Sequence, residues 1–80
     1  MSGAPEHYDL KGLKCPLPVL KTRRKLAELG PGALLSVTTS DPLAVIDIPH
    51  FCREDGHDLI AQEAEDSGHR FLIRKGNSPV

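Results

Sequence analysis

The chain has no tryptophan, one tyrosine and two phenylalanines, and this scarcity removes one class of function. Proteins that hold single-stranded nucleic acid grip it with aromatic side chains on which bases stack. Tyr8, Phe51 and Phe71, scattered along 80 residues, make no such platform. A basic surplus is missing too. Ten Lys and Arg against eleven Asp and Glu leave a formal charge of −1, too little field to draw in a phosphate backbone or an anionic membrane. Direct binding of nucleic acid is therefore not expected. No apolar run approaches the ~18 residues that a spanning helix requires, so membrane insertion is not expected either. The first seven residues, Met-Ser-Gly-Ala-Pro-Glu-His, lack the basic and apolar regions of a secretory signal, and the expected location is cytoplasmic. The only cysteines, Cys15 and Cys52, are too few for a secreted disulfide framework and are not in Cys-x-x-Cys spacing. His7, His50, His57 and His69 show no metal-ligand spacing, and neither a metal nor a cofactor is expected.

Eighty residues make one small domain, expected to span 1–80 with a core at about 7–75 and flexible tails at 1–6 and 76–80. A chain of this size buries only a modest share of its surface. Deep enclosure of a site is excluded, so any chemistry belongs at the surface and is shared with a partner.

What the chain does contain is Lys-Gly-Leu-Lys-Cys-Pro-Leu-Pro-Val-Leu at residues 11–20. Proline is favoured at the first helical position because its fixed φ suits the helix and its missing N–H would have been unpaired there. Pro16 then reads as a helix start, with Cys15 at the N-cap. A thiol in that place faces the positive end of the helix dipole and the unpaired first-turn N–H groups. Both favour the thiolate, which is the reactive form, and the cation Lys14 adds to them. Gly12 lets the approaching backbone turn freely, and Pro18 is tolerated in the first turn. The competing reading is a small buried side chain that happens to precede a helix, since free cysteine is usually buried and inert. On these residues alone both readings stand.

The remaining pattern gives the order β-α-β-α-β-β. A strand is expected within His7–Leu13 and a helix over Pro16–Leu29, with Val19, Thr22, Leu26 and Leu29 as its core stripe. Gly30-Pro31-Gly32 stops it, and Leu34–Ser40 reads as a strand. Asp41-Pro42 repeats the helix-start grammar, with Asp41 as cap. Val45, Ile48 and Cys52 form an apolar stripe on this second helix, which assigns Cys52 to packing. Pro49 is expected to kink or divide the helix, and Gly56 to end it. His57–Glu65 and His69–Lys75 read as strands joined at Asp66-Ser67-Gly68. The expected fold is an α/β (α+β) two-layer sandwich, with two helices on one face of a mixed four-stranded sheet. Leu17, on the polar side of the first helix beside Cys15, is a candidate partner contact. Arg23 and Arg24 belong to a basic run, Lys21 to Lys25, that is either a solvated face or a docking surface for an acidic partner.

Several blocks in order give the chain a recognisable likeness. They are Asp9-Leu10-Lys11-Gly12-Leu13-Lys14-Cys15-Pro16-Leu17-Pro18, Pro31-Gly32, Ser40-Asp41-Pro42, Asp47-Ile48-Pro49-His50-Phe51-Cys52, Gly56-His57-Asp58-Leu59 and Phe71-Leu72-Ile73-Arg74-Lys75. Over residues 8–75 the chain resembles the TusA (SirA-like) sulfur-carrier family, with its Cys-Pro-x-Pro motif. The resemblance implies the same sandwich and a carrier that bears sulfur as a persulfide, here on Cys15. It implies a cysteine desulfurase or a rhodanese-like enzyme as sulfur donor and a downstream sulfur-acceptor protein, in tRNA thiolation, cofactor synthesis or sulfur oxidation. Leu17 stands where the carriers of tRNA thiolation have an acidic residue, which leaves donor and acceptor open. The alternative from another class is a non-catalytic regulatory module that binds RNA or protein, because fold does not fix function.

Overall fold

The computed structural model describes residues 5–76. Six elements follow the expected order: β1 (Glu6–Leu10), α1 (Leu17–Ala27), β2 (Leu34–Thr39), α2 (Ala44–Asp55), β3 (Asp58–Glu65) and β4 (Gly68–Arg74). They build a two-layer α+β sandwich on a mixed four-stranded sheet in the order β1-β2-β4-β3. β1 runs parallel to β2, and β4 pairs antiparallel with both β2 and β3. The parallel pair is joined through α1, the crossover that parallel neighbours require. The antiparallel pair β3–β4 is joined by a tight turn at Asp66-Ser67, with Gly68 already in β4 opposite Glu65.

One core holds the layers together. Leu10, Leu35, Val37, Phe71 and Ile73 come from one sheet face, and Leu26, Ala44, Ile48, Phe51 and Cys52 come from the helices. The alternation along β2 and β4 aims Leu35, Val37, Phe71 and Ile73 at the helices. Each of these four is completely buried, which at about 1.5–3 kcal/mol per large apolar side chain makes this layer the main source of stability.

Several boundaries differ from the sequence expectation. Glu6 belongs to β1 rather than to a tail, and β1 ends at Leu10. Pro5 and Gly76, also expected in the tails, are described, and the Gly76 N–H donates to His57 Nδ1 at 2.9 Å; residues 1–4 and 77–80 lie outside the described residues. α1 is shorter than Pro16–Leu29, because its last turn tightens into bonds from the Glu28 and Leu29 N–H groups to the Lys25 and Leu26 carbonyls. The Lys75 ammonium then caps this end on the Leu29 carbonyl at 2.7 Å. The buried stripe of α1 is Pro18, Thr22 and Leu26, with Val19 and Leu29 packed beside it.

α2 remains one helix through Pro49. The buried residues Ile48, Phe51 and Cys52 flank the proline, and packing on the sheet outweighs the lost N–H. Ala44 and Phe51 join Ile48 and Cys52 in its buried stripe, while Val45 is only half-buried. The Asp-Pro step opens a turn before α2 and not the helix itself. The Ala44 N–H donates to the Asp41 carbonyl at 3.0 Å, and the helix cap is Leu43, with no side-chain bond. Gly56, in the left-handed conformation, ends the helix as expected.

Candidate functional site

Parallel neighbours bring their C-terminal ends together, so the β1–α1 and β2–α2 connections leave the sheet side by side, with Leu10 opposite Thr39. The two connections are stitched to each other. The Gly12 N–H donates to the Ser40 hydroxyl at 2.8 Å. The Cys15 N–H donates to one oxygen of the Asp41 carboxylate, and the Leu43 N–H donates to the other at 3.1 Å. Gly12 has φ near +90°, a region that disfavours any side chain, which explains glycine at the bend that carries the chain toward Cys15. Leu13 packs on the core below. The first connection is thus fixed from the second, by residues 26 and 28 positions away.

Cys15 is exposed and precedes α1 without capping it. Pro16 takes the cap position with no side-chain bond, and Pro18 is buried in the first turn. Cys15 and Pro16 line an open groove of about 390 Å³ between the helices. α1 adds Val19 and Arg23 to its walls, and α2 adds Asp47, His50, Phe51, Glu54 and Asp55. A smaller concavity of about 220 Å³ lies on the outer sheet face among His7, Ser36, Ala61, Glu63, Arg70 and Leu72 and is lined by neither cysteine.

The electrostatics of the thiol reverse the sequence expectation. Cys15 Sγ donates to Asp47 Oδ2 at 2.9 Å. Accepting that bond, Asp47 favours the protonated form and pushes the Cys15 thiol up from the ordinary cysteine value. Desolvation and the negative charges of Asp47 and Asp41 act in the same direction. Lys14, exposed beside Cys15, is not among the groups that set this shift. The physical reason is tertiary: Cys15 lies outside the helix, and folding delivers two carboxylates from the second connection and α2. The other thiol is different again. Cys52 is 2% exposed in the core, and burial first, then the charges of Asp55 and Asp58, push it up to about 11.

The candidate contact residues divide. Leu17 is exposed beside Cys15. Arg23 lies in the groove, with its guanidinium 3.4 Å from the Asp55 carboxylate and 5.6 Å above the Phe51 ring. Arg24 is exposed and outside the groove. Sequence reasoning missed Asp47 as the partner of Cys15 and took Asp41 only as a cap. It also passed over Leu43 and Ile46, which are exposed at 51% and 66%. Both are close in the chain to groups that bind Cys15: Leu43 shares the Asp41 carboxylate with it, and Ile46 precedes Asp47. The signal was the juxtaposition of the Asp-Pro and Asp-Ile-Pro blocks with the Cys-Pro block. Among the described residues no group of three or more His, Cys, Asp or Glu is placed to hold a metal, and no helix is long and apolar enough to cross a membrane.

The family model described as Sulfurtransferase TusA matches residues 6–75, the whole of this sandwich and both stitched connections. The chain belongs to the TusA family. The crystal structure of a SirA-like protein from Desulfitobacterium hafniense is similar to it, with a TM-score of 0.74 and 25% sequence identity over 89% of this chain and 97% of that one. Membership of the TusA family supports a general role as a sulfur carrier, and with it interaction with sulfur donors and acceptors.

Proposed function

We propose that this protein relays sulfane sulfur as a persulfide on Cys15. The observation that carries the reading is an exposed cysteine in the Cys-Pro-x-Pro turn of a TusA chain, anchored through its own N–H by Asp41 at the mouth of a groove. Cys15 sulfur attacks the outer sulfur of a donor persulfide. The donor's S–S bond breaks, Cys15–S–SH forms and the donor sulfur leaves as a thiol carrying the proton lost by Cys15. Attack by an acceptor thiol on the outer sulfur repeats the exchange and restores Cys15, with no net oxidation in either transfer. Gly12 and Pro18 shape the turn that presents the sulfur, and Pro16 starts the helix behind it.

Four of the five large apolar side chains exposed among the described residues support a partner surface around the sulfur. Leu17 and Leu20 stand on the first turns of α1, and Leu43 and Ile46 at the start of α2. The fifth, Ile60, lies at the irregularity in edge strand β3. The α1 pair and the α2 pair stand at the helix ends that the two stitched connections enter, and exposed apolar residues that share a surface mark interaction sites. Arg23, held by Asp55 and Phe51, gives this surface an oriented cation and is a stronger docking residue than Arg24. A cysteine desulfurase or a rhodanese-like enzyme is the expected donor, and a second cysteine protein the expected acceptor, in the cytoplasm.

The test is intact mass spectrometry after incubation with a cysteine desulfurase and cysteine. A carrier gains the mass of sulfur and loses it on reduction. A binding module does not change mass, and that result ends this reading.

A further inference from the structure

The groove presents a puzzle for a sulfur carrier. Its nucleophile is exposed, yet the polar group nearest the sulfur is an acceptor and not a cation. We propose that Asp47 is a positioning residue for the relay: its carboxylate takes the S–H bond of Cys15 in the free protein and keeps the sulfur docked on α2 as a thiol until a partner draws it away. The inference rests on the persulfide reading for its purpose, but the hydrogen bond it invokes is a property of the free chain.

The geometry comes from two independent fixings. Asp41 anchors the Cys15 main chain from the β2–α2 turn through its N–H. Asp47 sits in the first turn of α2, where its own N–H donates to the Leu43 carbonyl at 2.9 Å, and the buried Ile48 beside it fixes the helix on the sheet. Between a fixed backbone and a fixed carboxylate, Sγ is 2.9 Å from Oδ2. Hydrogen bonds to an ionised acceptor are stronger than neutral ones, and this one exists only while sulfur keeps its proton. The charged groups around the thiol add little against it. Asp41 faces it from the turn and repels a thiolate, as Asp47 does. Glu54 and Asp55 line the same groove, and its one arginine, Arg23, is engaged by Asp55. His50 lines the groove, and Lys14 precedes Cys15 without entering it.

Two consequences separate this role from simple packing. The free carrier should react slowly with adventitious electrophiles for an exposed thiol. Attack on a donor persulfide should require the S–H···Oδ2 bond to be given up, with the proton passing to solvent or to a base of the partner and finally to the departing donor thiol.

The test compares alkylation of Cys15 by iodoacetamide across pH in wild type and Asp47→Asn, read peptide by peptide so that labelling of Cys52 reports any unfolding. The amide keeps the size of Asp47 and removes its charge. The variant should alkylate faster at neutral pH, with its midpoint moved down. Profiles that coincide overturn the proposal. A second measurement needs no variant: the Cβ resonance of isotope-labelled cysteine, followed through an alkaline titration of wild type. The Cys15 midpoint should lie above that of a short peptide carrying residues 13–17, and a midpoint at or below the peptide's overturns the proposal even if the variant fails to fold. Neither measurement uses a sulfur donor. Failure of sulfur loading therefore ends the relay reading without touching this one, and failure here leaves the relay reading intact.

Discussion

Cys15 and Cys52 are the same side chain in two settings, and both settings favour the thiol by different physics. Cys52 lies in the core beside Ile48 and Phe51, and burial is the first cause of its shift. Cys15 is exposed, and a single accepting carboxylate is the first cause of its shift. Burial cannot be lifted without unfolding the chain, whereas one hydrogen bond at the surface is released by moving one side chain. Of the two thiols, only Cys15 has its protonated form favoured by a contact that one side-chain movement would release. That is the property the proposed relay would use, and it differs from the thiolate that position beside a helix start suggests.

The sharpest way to separate the two cysteines is to remove each sulfur. Cys52→Ser puts a hydroxyl among apolar neighbours and should cost about 1–3 kcal/mol if the hydroxyl finds no partner, seen as a lower denaturant midpoint. Cys15→Ser changes an exposed position and should stay within about 0.5 kcal/mol of wild type. Equal losses in the two variants would erase the distinction.

Alkaline pH probes the buried thiol alone among core residues. The folded value of Cys52 is raised from 9.0 to about 11, so the unfolded chain ionises first. Stability from this group is complete below about pH 9 and is lost as pH rises toward about 11. Denaturant midpoints should fall through that window, and Cys52→Ala should show a shallower fall than wild type. An equal slope in the variant would assign the effect elsewhere.

The anchoring of Cys15 is tested by Asp41→Ala, which strands the Cys15 and Leu43 N–H groups. The loss should be about 1 kcal/mol, the usual net worth of a hydrogen bond, and Asp41→Asn should recover part of it. A loss confined to noise would mean that the two connections are not held together by this carboxylate.

The chain approaches its two helices through one grammar, Cys-Pro and Asp-Pro, and their contrast shows what local pattern can reveal. Hydrophobic period, proline, glycine and the turn at Asp66-Ser67 were enough for all six elements and their order, because each signal acts over a few residues. The strand order was not legible, since the register that puts β4 between β2 and β3 is decided by long-range pairing. Nor was the continuity of α2 through Pro49, where packing on the sheet outweighs the local rule. At the site, Cys15 could be singled out from its own decapeptide, but its electrostatics could not. The carboxylates that set them are 26 and 32 positions away and arrive only because parallel β1 and β2 end side by side. Lys14, adjacent in sequence, suggested the opposite sign. Leu43 and Ile46 were passed over for the same reason: each is unremarkable on its own helix and becomes informative only beside a sulfur brought from another connection.

The central claim is that sulfur is carried on Cys15 and on no other atom of this chain. It is tested most directly by site-resolved mass spectrometry of wild type, Cys15→Ser and Cys52→Ser after incubation with a cysteine desulfurase and cysteine. Wild type and the folded fraction of Cys52→Ser should gain sulfur on the peptide that contains Cys15, and Cys15→Ser should gain none. Loading that persists in Cys15→Ser and vanishes in folded Cys52→Ser would contradict the account.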